Sequence, residues 1–512
     1  MKKLIFLLSL FVFSCSVSKS DFQKDNKDVV ALTILQINDF YEIAPLDNGN
    51  IGGAARVATL RKKLLMENPN VLTLLAGDFI SPSLLGTLQM DGEKVKGKQM
   101  IEALNAIGLD LATFGNHEFD YDLNVLQKRI NESKFNWVSS NVNMVKDGKT
   151  GPFSKNINGK DEFIPRSKTF TFRSPSGKSL RIGVVAPCLD VNKAKFVAYD
   201  DINVSMNKEL TALKGQVEFL ISLSHLNKEQ DIQTAKDFPM LDLILGGHEH
   251  ENMKYKIGKT VLTKADANVR SAYVHRLYYN TIQKKYKLTS ELVKLDSKIA
   301  LDQQVNNVVE KWKSFELRTI RNMGFNPDEI IPGEPVHYDA REIIIRNEPA
   351  AFCKMICKSM MATCTNCDAA IMNSGSVRLD DVLEGKISQY NILQALPYAG
   401  SLIELDMTGS LLVKVLNVGF DNKGKGGYLQ WDKIKRDQKG QWYIGDNVIN
   451  QQKKYHIILN DFLLTGMEYG LPFLVKDNPE ISNIVTVQAN DEKNLRRDIR
   501  LAVIDYLKKG GR

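Results

Sequence analysis

Gly115-Asn116-His117-Glu118-Phe119-Asp120 is the stretch on which the reading of this chain turns. It closes a short apolar run, Leu109 to Thr113, and opens a helical pattern at Leu123. An amide, an imidazole and two carboxylates therefore gather at the mouth of a strand, where open α/β sheets place their ligands. Taken alone, a polar turn of this kind is equally ordinary helix capping. The other strand ends of the chain decide between the two.

The same device recurs on both sides. Ala31 to Ile37 is a β-rich run that gives way to Asn38-Asp39-Phe40-Tyr41. Val71 to Leu75, apolar apart from Thr73, has the pattern of a strand buried on both faces and delivers Gly77-Asp78. Further along, Phe219 to Leu223 leads to Ser224-His225, and Leu241 to Leu245 leads to Gly246-Gly247-His248-Glu249-His250. Helical patterns at Ala54 to Glu67, Gln99 to Ile107 and Leu123 to Ser133 lie between the early strands. Alternating strands and helices with polar strand ends predict an α/β fold with its site at one end of the sheet.

The chain has seven histidines, and four of them, His117, His225, His248 and His250, follow predicted strands directly. With Asp39, Asp78 and Asn116 they make a set of nitrogen and oxygen donors suited to borderline-hard divalent ions rather than thiophilic ones. Imidazole is the commonest metal-binding side chain. A metal centre is the expectation.

At 512 residues the chain is too long for one core. An amphipathic pattern at Val305, Val308, Val309, Trp312 and Phe315, ended by Asn326-Pro327, separates two domains. The expected division is 29–297, a linker helix over 298–327, and 328–512. Beyond the linker, a helix at Glu348 to Met361 and strands at Ala369 to Met372, Leu402 to Met407 and His456 to Asn460 mix both types. Asn143 to Pro165 is loop-rich, with no legible pattern. The net charge of +8 is spread over scattered lysines, with no basic tract and interleaved aromatics to mark a nucleic-acid polymer surface.

Lys2 and Lys3 followed by the apolar run Leu4 to Phe13 make residues 1–14 a secretory signal, too short in its core to span and stay. Val12-Phe13-Ser14-Cys15 is similar to a lipobox, so Cys15 is expected to carry lipid, with residues 15–28 as a tether to the membrane. The alternative is a plain cleavage site with Cys15 lost. In an oxidising compartment Cys353, Cys357, Cys364 and Cys367 read first as disulfides and second as a four-thiolate zinc site, with pairing undetermined.

The five motifs Asn38-Asp39-Phe40-Tyr41, Gly77-Asp78, Gly115-Asn116-His117-Glu118, Ser224-His225 and Gly247-His248-Glu249-His250 resemble, in order and approximate spacing, the calcineurin-like metallophosphoesterases. The chain is more closely similar to the 5′-nucleotidase family. That resemblance implies an N-terminal metallophosphoesterase β-sandwich flanked by helices and a smaller C-terminal α+β nucleotide-binding domain. It also implies two divalent metal ions, with Asp78 bridging, Asp39 and His250 on one, and Asn116, His225 and His248 on the other. His117, held by Asp120, becomes the catalytic pair. A bridging carboxylate suits ions about 3.5–4 Å apart. One position departs: Tyr41 stands where the family has a histidine. A phenol with a pKa of about 10 is a poor ligand for zinc or manganese, though not for ferric iron, so the expectation is that Tyr41 stays off the metal and weakens the first site.

In the second domain Asn373-Ser374-Gly375-Ser376-Val377-Arg378 resembles the family's glycine-rich turn, Gly427-Tyr428-Leu429-Gln430 its base-stacking loop, and Asp461-Phe462-Leu463 with Gly466 to Gly470 its last nucleotide-binding segment. By that resemblance Arg378 presents a planar fork to phosphate, Asn373 bonds ribose or phosphate, and Tyr428 with Phe462 sandwiches the base. Ser376 replaces a glycine, and Glu468-Tyr469 replaces Asp-Gly at the ribose. The implied activity is hydrolysis of nucleoside 5′-monophosphates in the periplasm or at the cell surface. Its rivals are a cyclic-nucleotide phosphodiesterase or nucleotide-sugar pyrophosphatase, and a non-catalytic lipoprotein binding module with a degenerate metal site.

Overall fold

The computed structural model describes residues 26–511 apart from positions 48, 193 and 489. The signal segment, Cys15 and most of the tether lie outside the described residues. The chain divides into two compact units, one formed up to Ser81 and from Gly97 to Lys311, the other by Pro82 to Lys96 and from Trp312 onward. Pro82 to Lys96, which the sequence reading places in the first domain, thus groups with the second. The division falls inside the helix Gln303–Asn322.

The first unit is built on two six-stranded sheets. In one, Val29–Ile37 runs parallel to Val71–Leu75, and Leu111–Ala112 and Asn136–Trp137 continue the parallel series. Ser271–Asn280 and Lys285–Lys294 add an antiparallel edge. In the other, Ser179–Val185, Phe219–Ser224, Leu243–Gly246 and Thr260–Lys264 are parallel neighbours, flanked by antiparallel Ser167–Arg173 and Met253–Ile257.

Alternation along these strands explains the layers. Val30, Leu32, Ile34, Leu72 and Leu74 of the first sheet meet Ile182, Val184, Ile221, Leu223, Leu243 and Leu245 of the second in one buried core. The intervening residues Val185 and Ile244 pack instead with Met206, Leu210 and Ala235 of the helices Ile202–Leu213 and Lys228–Asp237. Strands buried on both faces read as continuous apolar runs, as these do. The architecture is the helix-flanked sandwich expected from the sequence. Asn143 to Pro165 forms small hairpins, Val142–Lys146 with Lys149–Gly151 and Ser154–Ile157 with Lys160–Phe163.

Lys264 anchors one end of the second sheet. It is fully buried, yet its Nζ donates to the carbonyls of Leu226 and Gly247 at 2.7 and 2.8 Å and lies 2.8 Å from Asp231 Oδ2. It also pairs with Glu249. Ser224 donates to the other Asp231 oxygen at 2.5 Å. The loops that carry His225 and His248 are therefore tied to one cation.

The second unit holds a five-stranded sheet in the order Leu429–Asp432, Ala369–Asn373, Lys454–Asn460, Leu402–Thr408, Ile481–Val485. Only Ala369–Asn373 and Lys454–Asn460 pair in parallel. Leu411, Leu412, Val415 and Leu416 of the helix Gly409–Asp421 pack on Ile371, Leu405 and Ile457. Cys364 and Cys367 form a disulfide, while Cys353 and Cys357, one turn apart on the helix Ala351–Ala362, are buried thiols. The four-thiolate alternative is thereby set aside.

Lys264→Met leaves Asp231 buried without its cation and is expected to lower the unfolding free energy of the first unit by about 3–5 kcal/mol in a urea titration. The double variant Lys264→Met/Asp231→Leu should recover most of that loss, because removing a buried pair whole is close to neutral. An equal loss in both variants would assign the effect to packing instead of charge.

Candidate metal centre

The central strands of both sheets end on the same side of the sandwich, and their loops carry the polar residues singled out by sequence. Asp39 follows Val29–Ile37, Asp78 follows Val71–Leu75, Asn116 follows Leu111–Ala112, and His225 and His248 follow Phe219–Ser224 and Leu243–Gly246. Four of the chain's non-glycine residues with left-handed backbone are here: Asp39, Asp78, His248 and His250, at φ of 48°, 57°, 85° and 22°. Such conformations cost about 1–3 kcal/mol each and persist only where surroundings over-determine them.

Glu118 supplies that constraint for Asp78. Its buried carboxylate accepts hydrogen bonds from the backbone N–H of Gly115 at 2.6 Å, Asp78 and Phe79 at 2.8 Å, and Ile80 at 3.1 Å. The loops after two adjacent strands are thus pinned together. Gly115 fits because a Cβ there would fall on Asp78 Oδ1 and come within 2.7 Å of His225 Cε1.

Each aspartate commits one oxygen to the scaffold and leaves the other to the imidazoles. Asp39 Oδ2 accepts from Asn38 Nδ2 at 2.8 Å and from the His248 N–H at 2.9 Å. Its Oδ1 lies 3.4 Å from His250 Nε2. Asp78 Oδ1 accepts from the His117 N–H at 2.8 Å, while Oδ2 lies 3.2 Å from His225 Nε2. His225 Nδ1 is 2.7 Å from the Ala76 carbonyl, a contact that turns Nε2 toward Asp78. The His248 ring stands 5.4 Å from that of His225. The Tyr41 hydroxyl also points inward, 3.1 Å from Asp78 Oδ2, 3.1 Å from His250 Nε2 and 3.4 Å from Asp39 Oδ1.

These residues fit a bound cation. Asp39, Asp78 and His225 offer ligand atoms within 4.8 Å of one another. Asn116 Oδ1 is buried without a hydrogen-bond partner, and His225 Nε2 has only the Asp78 carboxylate beside it. An unpaired buried acceptor costs about 1–3 kcal/mol, and a cation satisfies an amide oxygen and an imidazole nitrogen together. The titration behaviour agrees. Burial disfavours a charged His225 ring, but the Asp78 carboxylate beside it outweighs this and pulls it up to about 9. Burial and then the charge on His225 push His248 down to about 3, which keeps it neutral. Burial also opposes ionisation of Asp78, yet His225 and His117 hold it well below the usual carboxylate range. A cation between the aspartates competes for the charge that otherwise keeps a proton on His225.

His117 and Asp120 stand at the edge of this cluster, Nδ1 to Oδ2 at 2.7 Å, with side chains part-exposed. Two residues that sequence reasoning missed steady the aspartate. Ser81 Oγ donates to Asp120 Oδ2 at 3.1 Å, and Asn192 Nδ2 donates to Asp120 Oδ1 at 3.2 Å and to the Asn116 carbonyl at 2.9 Å.

In the second unit the structure joins some of the expected substrate residues and removes one. Asn373 Nδ2 donates to Glu468 Oε2 at 2.8 Å, and its Oδ1 accepts from Ser376 Oγ at 2.7 Å and Asn460 Nδ2 at 3.1 Å. Ser376, in place of a glycine, is thus used to fix Asn373. Arg378 lies 4.0 Å from Glu342 and beside the Tyr398 ring. Phe462 and Tyr469 are 39 % and 61 % exposed. Tyr428 corrects the sequence reading. It is fully buried, with its ring packed near Phe420 and Trp431, so it offers no open face to a base.

Residues 32–252 match the calcineurin-like phosphoesterase family model and residues 336–474 the 5′-nucleotidase C-terminal domain model, together more than half of the chain. The chain is 24% identical over 505 residues to a 5′-nucleotidase of Homo sapiens, covering 85% of this chain and 83% of that protein. It is also 24% identical over 487 residues to a trifunctional nucleotide phosphoesterase protein of Bacillus subtilis, covering 85% of this chain and 32% of the relative, so it spans about a third of that protein's length. The solved 5′-nucleotidase precursor from Thermus thermophilus shares the fold, with a TM-score of 0.70 over 94% of this chain and 97% of that one at 17% identity. The chain belongs to the 5′-nucleotidase family, a phosphoric monoester hydrolase with a calcineurin-like phosphoesterase domain followed by a 5′-nucleotidase C-terminal domain.

Proposed function

We propose that the protein hydrolyses nucleoside 5′-monophosphates to nucleoside and phosphate, using two metal ions of the divalent kind its family employs. The observation that carries this reading is the convergence of Asp39, Asp78 and His225 ligand atoms within 4.8 Å of one another, with the buried amide oxygen of Asn116 left without a partner in a loop that also bonds Asp78. In this reading Asp78 is shared, Asp39 and His250 serve one ion, and Asn116, His225 and His248 serve the other. Such ions supply a water ionised near neutral pH and a Lewis acid for the phosphoryl oxygens.

The chain's own groups do the rest. Asp120 accepts from His117 Nδ1–H and so sets the ring, which in its imidazolium form presents Nε2–H to oxygen as charge develops there. Ser81 and Asn192 keep Asp120 in place for that task. In the second unit Arg378 offers its guanidinium to an anion, the Asn373–Glu468 pair offers a donor and an acceptor to sugar hydroxyls, and the exposed Phe462 and Tyr469 rings offer a stacking face. The sequence of residues 1–15 further supports export and lipid attachment at Cys15, hence nucleotide scavenging in the periplasm or at the cell surface.

Asp78→Asn is expected to abolish turnover together with metal content by elemental analysis. His117→Gln should lower kcat by about 10²–10⁴ while metal content stays at the wild-type level. Refusal of AMP, UMP and GMP with cleavage of bis(p-nitrophenyl) phosphate would overturn the nucleotidase reading in favour of a phosphodiesterase. Phe462→Ala should raise KM for AMP and leave p-nitrophenyl phosphate nearly unaffected. Tyr428→Ala should instead destabilise the second unit by about 3–5 kcal/mol, the cost of truncating a buried aromatic.

A further inference from the structure

Among the described residues a second set of ligand atoms converges in the other unit, on side chains to which the reaction gives no task. One ligand atom from each of Cys364, Cys367, Glu404 and His456 lies within 4.8 Å of the others. Strand register brings them together. Glu404 and Asp406 alternate with the core residues Ile403, Leu405 and Met407 along Leu402–Thr408, so both lie on the sheet face opposite that core. His456, on the neighbouring strand, stands directly across from Asp406. The backbone N–H of His456 donates to Asp368 Oδ2 at 2.8 Å, and the Asp368 N–H donates to the His456 carbonyl at 2.7 Å. Those two bonds hold Cys367, the residue before Asp368, beside the histidine.

The histidine is set up as a ligand. Its Nδ1 is 2.7 Å from Asp406 Oδ1, and because an ionised carboxylate only accepts, Nδ1 carries the hydrogen. Asp406 Oδ2 accepts in turn from Asn483 Nδ2 at 2.6 Å. Nε2 is thereby turned to Glu404 Oε2 at 3.5 Å, longer than the about 2.9–3.0 Å of an ordinary N–H···O bond. A carboxylate that fixes one ring nitrogen and directs the other is the usual support of a metal-bound imidazole. Glu404 is arranged alike, with Arg496 bonded to Oε1 and Oε2 facing the histidine. Cys364 and Cys367 have the two-residue spacing of one half of a structural zinc site. Cys353 and Cys357 contribute no atom to the group.

We propose that the reduced Cys364 and Cys367 pair forms a four-ligand zinc site with His456 and Glu404, which the disulfide closes off. Two thiolates, an imidazole and a carboxylate suit zinc, and a full set of four protein ligands makes the site structural, with no position left for substrate. The change of state balances. A thiolate of an external dithiol attacks Cys364 Sγ, on the more exposed residue of the pair, and the S–S bond breaks with its electrons going to Cys367. The dithiol's second thiolate then closes its own disulfide and releases Cys364. Two electrons and two protons have passed to the protein, and both cysteines are thiols. Zinc binding displaces those protons to solvent. The two states exclude one another, because a sulfur bonded to sulfur has no thiolate to offer an ion.

The test treats the full chain with a dithiol, removes the dithiol without air, and titrates the protein with cobalt(II) as a spectroscopic substitute for zinc. The pair closes a loop of only two intervening residues, so little chain-entropy stabilisation is lost and the circular dichroism should not change on reduction. The reduced wild type should develop a thiolate-to-cobalt charge-transfer band and, loaded with zinc instead, hold one more equivalent per chain than the disulfide form. Cys364→Ser/Cys367→Ser should lose both the band and the extra zinc, whereas Cys353→Ser/Cys357→Ser should keep them. Asp406→Asn should weaken cobalt binding by about 10–100-fold, the cost of losing an outer-shell partner, and His456→Gln by more. A reduced wild type that shows no band and takes up no extra zinc, folded or not, would overturn the proposal and leave His456 as a cation held between two acids. Wild-type cobalt affinity in His456→Gln would overturn it equally. The band requires sulfur ligands, so failure here leaves the two-metal reading of the first unit standing.

Discussion

The Glu118 carboxylate is the constraint on which the metal centre depends. It collects the N–H groups of Asp78, Phe79 and Ile80 from one loop and of Gly115 from the next. Successive backbone N–H groups can converge on one anion where the chain turns through a left-handed residue. Asp78, at φ 57°, is that residue. The strained backbone of Asp78 and the position of its side chain are therefore one fact. Burial, and then repulsion from Asp78, push Glu118 up to about 7 against the pull of its donors. Positive charge placed beside Asp78 relieves that repulsion.

The same economy of oxygens governs the rest of the site. Asp39 and Asp78 each fix themselves with one oxygen, Asp39 through Asn38 Nδ2 and the His248 N–H and Asp78 through the His117 N–H, and present the other to the centre of the cluster. The second sheet contributes in another way. Lys264 draws the Leu226 and Gly247 carbonyls together with Glu249 and Asp231, which sets the loops of His225 and His248 against one another. Charge buried on both sides of the sandwich serves one purpose, the placing of loops that carry no regular structure.

What was legible in the sequence follows from how local each signal is. The candidate metal ligands are legible because they follow short apolar strands, and that pattern needs no knowledge of the partner strand. Glu118 sits in the quoted hexapeptide, but three of its four donors lie 38 to 40 positions away, so its role had no sequence signal. Lys264 closes the strand Thr260–Lys264, and its burial is set by Asp231, Glu249 and the Leu226 and Gly247 carbonyls, all fifteen or more positions away. Tyr428 carries no sequence signal for its burial, because the residue preceding a strand is equally free to face the core or solvent. Tyr41 was weighed by the chemistry of a lone phenol. The placement of its oxygen among three other donors is a property of the fold. Asn143 to Pro165 stayed unread because its short strands are polar and largely exposed, without the alternation that a buried face imposes.

The dispersal of the ligands reaches beyond catalysis. Asp39 and His250 are separated by more than two hundred positions, and the donors between them come one loop at a time from strands of both sheets. An unfolded chain presents no such constellation. Binding energy at the centre is then almost wholly folding energy for the first unit, by mass action on the native state. A one-residue slip in any central strand displaces its ligand by about 3.3 Å and turns the strand over. Capture of an ion by these candidate ligands would then act as a proofreading step for the sandwich, favouring the one strand register in which every loop arrives at the same point.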